Sequence, residues 1–146
     1  RFEGVDKAVP APGVVEAIQS AEAVIFCPSN PWVSIDPILK TLAPLHPLLE
    51  FGLRVVAVSP IIGGQTVKGP AAKMYRELGI DPSALAVANH YRGLVTDFVL
   101  DAIDKQLQGE IQGLNMHAHV TNTLMTSHDE RSRLAQEIIG FIGNKL

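Results

Sequence analysis

The apolar positions of the chain fall into two kinds of pattern. In the first, three short runs are unbroken: Ala23-Val-Ile-Phe-Cys27, Arg54-Val-Val-Ala-Val58 and Ala84-Leu-Ala-Val-Ala88. A strand with one face in water alternates, so a continuous apolar run bounded by turn residues predicts a strand buried on both faces of a parallel sheet. The connectors, 28–53 and 59–83, are long enough for the helical crossovers that parallel neighbours need. Two further strand candidates are Asp97-Phe-Val-Leu-Asp101 and His117-Ala-His-Val-Thr121. The first of these trails the third run too closely for a full crossover, which leaves its pairing open.

The second pattern has helical period. Val14, Ala17, Ile18 and Ala21 recur at i, i+3, i+4 and i+7, predicting a helix over 12–21 with one face on the sheet. Pro70 suits the first position of another helix, with Ala71, Met74, Tyr75 and Leu78 as its stripe and Gly79 as its stop. In the last helix Ser127 and Glu130 form a capping box, followed by Leu134, Ile138, Phe141 and Ile142 as the buried face. Strands alternating with helices predict an α/β class: a Rossmann-like three-layer fold with a mainly parallel sheet and flanking helices. With no internal repeat or low-complexity tract, residues 1–146 read as a single α/β domain. Because the chain opens at Arg1 rather than Met, it reads as part of something longer.

Composition then removes several functional classes. Apolar residues make up 47% and charged residues 18%, against about 25% charged in an ordinary domain, which excludes intrinsic disorder. A net charge of −3 supplies no general attraction for a nucleic acid. Cys27 is the only cysteine, so neither a disulfide framework nor a Cys-rich zinc module can be built. No apolar run approaches the roughly 20 residues of a membrane span, and no signal peptide opens the chain. The expectation is a cytoplasmic protein.

Ligands of open α/β sheets bind beyond the carboxyl ends of the strands. Two such ends carry unusual sequence. After the first run comes Pro28-Ser-Asn-Pro-Trp-Val-Ser-Ile-Asp-Pro-Ile-Leu39. There Ser34 is the expected N-cap of a helix starting near Ile35, and Ser29, Ser34 and free amides could cradle a phosphate. An ordinary loop with a capping serine fits the same residues. After the second run comes Ser59-Pro-Ile-Ile-Gly-Gly-Gln-Thr-Val-Lys-Gly-Pro70, where Gly63-Gly64 permit close backbone approach and Lys68 could neutralise a phosphate. A flexible loop with a solvated lysine is the alternative, and the spacing is that of neither a dinucleotide fingerprint nor a Walker loop.

Other residues carry weaker chemistry. His117 and His119 would share a strand face, but two ligands do not make a metal site. Asp97, Asp101 and Asp104 could gather magnesium, or could simply mark strand ends and helix caps. Cys27 is expected to be a small buried apolar residue. Trp32 could stack on an aromatic ligand or plug its loop to the core.

At the two loops the sequence resembles the 2-phospho-L-lactate transferase family, which acts in the biosynthesis of the deazaflavin coenzyme F-420. The resemblance rests on Cys27–Leu39 and on Val58–Met74, and continues through Tyr91, Asp97–Asp101 with Asp104, Thr121-Asn-Thr-Leu-Met125 and Arg131–Ala135. Even Arg1-Phe-Glu-Gly4 resembles the middle of the family's chains, so the resemblance is to the C-terminal half. It implies transfer of a phospholactyl or phosphoenolpyruvyl group from a guanosine diphosphate-linked donor to a deazariboflavin hydroxyl. GMP is released and magnesium is the implied cofactor. The implied donor-binding residues are Ser29, Asn30, Ser34, Ile35, Gly63, Gly64 and Lys68. Trp32 is a candidate for the acceptor, and a homodimer is an allowed assembly. The family's Gly-rich opening strand and its metal-holding acids have no counterpart here, so metal ligands are expected elsewhere, with Asp97 and Asp101 the candidates within this chain. Asn122 and Arg92 stand where the family commonly has acids. A related family of gluconeogenesis regulators, binding nucleotide sugars without catalysis, is the alternative.

Overall fold

The computed structural model describes residues 3–42, 52–66, 74, 75, 77 and 79–143. Their strands are β1 (Ala23–Phe26), β2 (Arg54–Val58), β3 (Ile61–Ile62), β4 (Gln65–Thr66), β5 (Asp97–Asp101) and β6 (His117–Thr121). The helices are α1 (Val14–Gln19), α2 (Asp36–Leu42), α3 (Ala84–His90), α4 (Gln108–Gln112) and α5 (His128–Gly143). A four-stranded sheet has the order β1-β2-β5-β6, with every neighbouring pair parallel. Strands added in chain order in one direction put all their crossovers on one face, as the right-handed rule requires. The fold is thus a three-layer, Rossmann-like α/β arrangement.

Each central strand divides its residues between two cores. Val55, Ala57, Phe98 and Leu100 face the crossover helices and pack with Ala84, Val87, Ala88 and Ile111. Val56, Val58 and Val99 face the other way, against Leu134 and Ile138 of α5. The two-sided burial explains why β2 and β5 read as unbroken runs. α5 starts where the capping box places it: Ser127 Oγ accepts from the Glu130 amide at 3.2 Å, and Glu130 accepts from the Ser127 amide at 2.9 Å.

Two expectations change. Ala84–Ala88 is helix α3 and not a strand. Ser83 caps it by accepting from the Ala86 amide at 3.0 Å, and Ala84, Val87, Ala88 and Tyr91 recur at i, i+3, i+4 and i+7 on the buried side. A five-residue apolar run cannot separate helix from buried strand by period alone. With that run helical, Asp97–Asp101 follows a full crossover and takes the sheet position beside β2. The first helix is shorter than its periodicity suggests, because Gly13 adopts φ +85 immediately before Val14. Of the helix expected after Pro70, Met74 and Tyr75 are helical, and Gly79 ends it at φ +71 with the Ile80 amide donating to the Tyr75 carbonyl at 2.8 Å. Pro70, Ala71 and Leu78 lie outside the described residues. No helix among the described residues is long and apolar enough to cross a membrane.

Candidate functional site

β1 and β2 are adjacent and parallel, so the loops that follow them emerge side by side at the carboxyl edge of the sheet. Beyond β1 the chain turns tightly, with the Ser29 amide 2.6 Å from the Cys27 carbonyl, and enters a wide π-type turn, Pro31–Ile35, that runs into α2. The cap of this turn is Asn30, whose Oδ1 accepts from the amides of Trp32 at 3.0 Å and Val33 at 3.3 Å. Ser34 is therefore inside the first turn and is not its N-cap. The amides of Ser34 and Ile35 donate to the Asn30 carbonyl at 3.0 and 3.3 Å. The free amides expected around Ser34 are thus spent within the chain, while the Ser34 side chain is exposed and Ser29 half-buried. Asn30 prevails because an Asx side chain placed before Pro31 reaches two successive amides of a turn that the proline ring has preset.

Cys27 is exposed and not buried as expected. It follows buried Phe26 on an edge strand and shares its side with Ile25, which is itself 40% exposed. Trp32 is half-buried, its ring 4.5 Å edge-on from Tyr75 and 4.6 Å from His90. The ring thereby anchors the turn to α3, where His90 Nε2 lies 2.8 Å from Asp36 Oδ1. Burial pushes the Tyr75 and Tyr91 phenols well above their usual range, so neither is an available base at neutral pH.

The loop after β2 is a small hairpin. Ile61 pairs with Thr66 and Ile62 with Gln65, leaving Gly63 and Gly64 as the tip at φ +57 and +74. Positive φ at both central residues is the type I′ geometry that glycine adopts without strain. A Cβ on Gly63 would sit 3.3 Å from Ile103 Cγ2, and one on Gly64 would sit 3.5 Å from the Pro82 carbonyl oxygen. Ser59 fixes the hairpin's base by bonding both the amide and the carbonyl of Ile61, at 3.1 and 2.9 Å. Lys68 lies outside the described residues.

Two buried carboxylates stand at the same edge. Asp101, at the end of β5, accepts from the amides of Ile103 at 3.0 Å and Thr123 at 2.7 Å, and from the Thr123 hydroxyl at 3.1 Å. Asp104 accepts from the Gly63 amide at 3.0 Å. The sequence left these acids between metal ligation and capping. Their hydrogen bonds are those of caps and loop ties.

The remaining acid stands at the opposite edge. Asp97 opens β5 and is gripped by Arg54, with Nε at 2.8 Å and Nη2 at 2.6 Å, by the Thr96 hydroxyl at 2.9 Å and by His119 Nε2 at 2.8 Å. Burial works to push its carboxyl up, but the hydrogen bonds from Arg54, His119 and Thr96 outweigh it and hold the group well below the usual carboxylate range. The same guanidinium donates to the carbonyls of Phe141 and Ile142 at 2.8 and 2.9 Å, closing the C-terminal end of α5. This hub pairs residues 43 and 22 positions apart, and no local pattern announces it.

Four residues along a strand separate Asp97 from Asp101 by about 13 Å, too far to share an ion. His119 is committed to Asp97, which parts it from His117 as a ligand pair. Among the described residues no group of three or more His, Cys, Asp or Glu is placed to hold a metal ion. Among the described residues the three candidate carboxylates are thus engaged in hydrogen bonds within the chain rather than grouped around an ion. A concavity of about 350 Å³ lies at the amino edge, lined by Arg92, Thr96, Asn115 and His117 among others, away from the two loops.

Comparison with known proteins identifies the family of the chain. The chain matches the family 2-phospho-L-lactate transferase CofD over residues 1–142. It is 40% identical over 143 residues to a 2-phospho-L-lactate transferase of Methanocaldococcus jannaschii, covering 98% of this chain and 44% of that protein. Identity is 40% over 133 residues to the protein of the same name in Methanothermobacter thermautotrophicus, covering 91% and 43%. A phosphoenolpyruvate transferase of Streptomyces griseus is 36% identical over 137 residues, covering 93% and 43%. The chain thus spans less than half the length of these relatives. By sequence along nearly its whole extent, with the family-like loops adjacent at one sheet edge, this chain belongs to the 2-phospho-L-lactate transferase CofD family.

Proposed function

We propose that the protein is a transferase of deazaflavin-coenzyme biosynthesis and that this segment carries its donor-binding edge. In this reading a phospholactyl or phosphoenolpyruvyl group passes from a guanosine diphosphate-linked donor to a deazariboflavin hydroxyl. A bond forms between the acceptor oxygen and the donor phosphorus as the bond to GMP breaks, and the acceptor proton is released. Such transfers depend on positioning and charge neutralisation. Both names carried by the relatives fit, so the three-carbon group is left as either.

The observation that carries the reading is the juxtaposition of the Asn30 turn and the Gly63-Gly64 tip at the ends of adjacent parallel strands. Side chains of Ser29 and Ser34 would orient the diphosphate, Asn30 would hold the turn that carries them, Gly63 and Gly64 would admit it closely, and Lys68 would offset its charge. Ile35 contributes packing, since its amide is engaged. Magnesium, where the reaction uses it, takes its ligands from outside the described residues, and no role above runs through it. The substrates are small molecules met in the cytoplasm. The test supplies the full-length protein with deazariboflavin, magnesium and each GDP-linked donor separately, following GMP release and product mass. One donor should yield product and GMP in equal amounts. Binding of nucleotide sugar with no GMP release from either donor would overturn the reading in favour of a regulator.

A further inference from the structure

We propose that Asp104 is a positioning residue for donor binding: its carboxylate fixes the Gly63-Gly64 tip, and through it the floor on which the donor's diphosphate rests. The inference rests on the donor-binding reading above. β3 and β4 are two residues each, and a two-stranded hairpin of that size does not hold its own geometry in water. The glycines at its tip have no side chains with which to anchor it. The tip is restrained by the bond from the Gly63 amide to Asp104 Oδ2 at 3.0 Å, a charge-assisted contact to an acid that is 4% exposed.

Asp104 is itself fixed. It sits in the short 3-10 segment Ala102–Leu107, capped by Asp101 through the Ile103 amide, which ties it to the end of β5. Ile103 then lies under Gly63, where a Cβ would meet its Cγ2 at 3.3 Å. The tip is thus tied to a carboxylate on the segment that directly follows the central strand β5, with the Ile103 side chain beside it. An acid used this way needs its acceptor oxygen at one place and does not need its charge for a metal. That difference separates the proposal from metal ligation.

The experiment compares Asp104→Asn with Asp104→Glu in the full-length protein, after thermal melting shows that each is folded. Asparagine keeps a carbonyl oxygen at the same reach and loses the charge, whereas glutamate keeps the charge and moves the oxygen by one methylene. Donor KM, kcat and GDP dissociation constant are measured for each, with hydrogen exchange at the Gly63 amide. Asp104→Asn should stay within about threefold of wild type in donor KM and GDP affinity. Asp104→Glu should raise donor KM and the GDP dissociation constant by about tenfold, the scale of one charge-assisted hydrogen bond, with kcat within about threefold and faster Gly63 exchange. Should Asp104→Glu not fold, Asp104→Ser, too short to reach the amide, takes its place with the same expectation. The inference is overturned if asparagine is as damaging as glutamate, or if glutamate leaves donor KM and Gly63 exchange unaltered. A wild-type protein that neither binds GDP nor releases GMP would instead sink the functional reading, and this inference with it.

Discussion

Replacing Asp97 by alanine tests the energetics of the sheet most severely. The carboxylate is 1% exposed and receives four hydrogen bonds, two from Arg54 and one each from Thr96 and His119. Alanine leaves the Arg54 guanidinium only 16% exposed and without its counter-ion, while that group still closes the last turn of α5. Breaking a buried pair by removing one partner costs about 3–5 kcal/mol, which for a chain of this size lowers Tm by roughly 10–20 °C. The pH dependence supplies a second readout. The folded-state pKa lies below the unfolded one, so the unfolded chain takes up the proton first. Asp97 therefore contributes fully above about pH 4, the unfolded carboxyl value, and its contribution is lost as pH falls below that. Urea unfolding at pH 7 and at a series of points down to pH 3 should show the wild type losing stability on acidification. Asp97→Ala should start lower and slope less. A loss under about 1 kcal/mol, the scale of an exposed pair, would refute the hub, as would an unaltered acid slope.

Further outcomes follow from the carboxyl edge. Asn30→Ala should cost about 1 kcal/mol in urea unfolding, the value of a lost N-cap, whereas Ser34→Ala should be within about 0.5 kcal/mol of wild type because Ser34 caps nothing. In GDP titration, Ser34→Ala should nevertheless weaken binding if its exposed hydroxyl meets the diphosphate. Gly63→Ala should destabilise by about 1–2 kcal/mol or more, since φ +57 is disfavoured for an L residue and the added methyl presses on Ile103. Glu130→Ala should shorten protection of the first turn of α5 in hydrogen exchange, because the carboxylate accepts from the amides of both Thr126 and Ser127.

What was legible in the sequence is what short-range physics writes locally. β2 and the Phe98–Leu100 middle of β5 announce themselves by apolar runs because both faces of these central strands are buried, whereas β1 carries such a run at the sheet edge with Ile25 40% exposed. The start of α5 is written in four consecutive residues, Ser127 to Glu130. Ala84–Ala88 misleads for the same reason, since five apolar residues satisfy either period, and only Ser83 in front of them hints at a helix. Asn30 and Ser34 both have capping side chains, and their order was settled by Pro31, which starts the turn earlier than the serine suggests. The ties of Asp101 to Thr123 and of Asp104 to Gly63 join segments that meet only after the sheet has formed. Nothing nearby in sequence encodes them beyond an acid standing at a strand end. The same holds for Arg54, Asp97 and His119, which are brought together by sheet register.

The central claim is that the donor sits at the carboxyl edge of the sheet, between the Asn30 turn and the Gly63-Gly64 tip. Its most direct test is amide hydrogen exchange across the full-length protein, with and without saturating GDP. The account predicts slowed exchange centred on Ser29–Ser34 and Ile62–Gln65, with the amino edge unchanged. Protection centred instead on the amino-edge concavity around Arg92, Asn115 and His117, with the two loops unaffected, would contradict it.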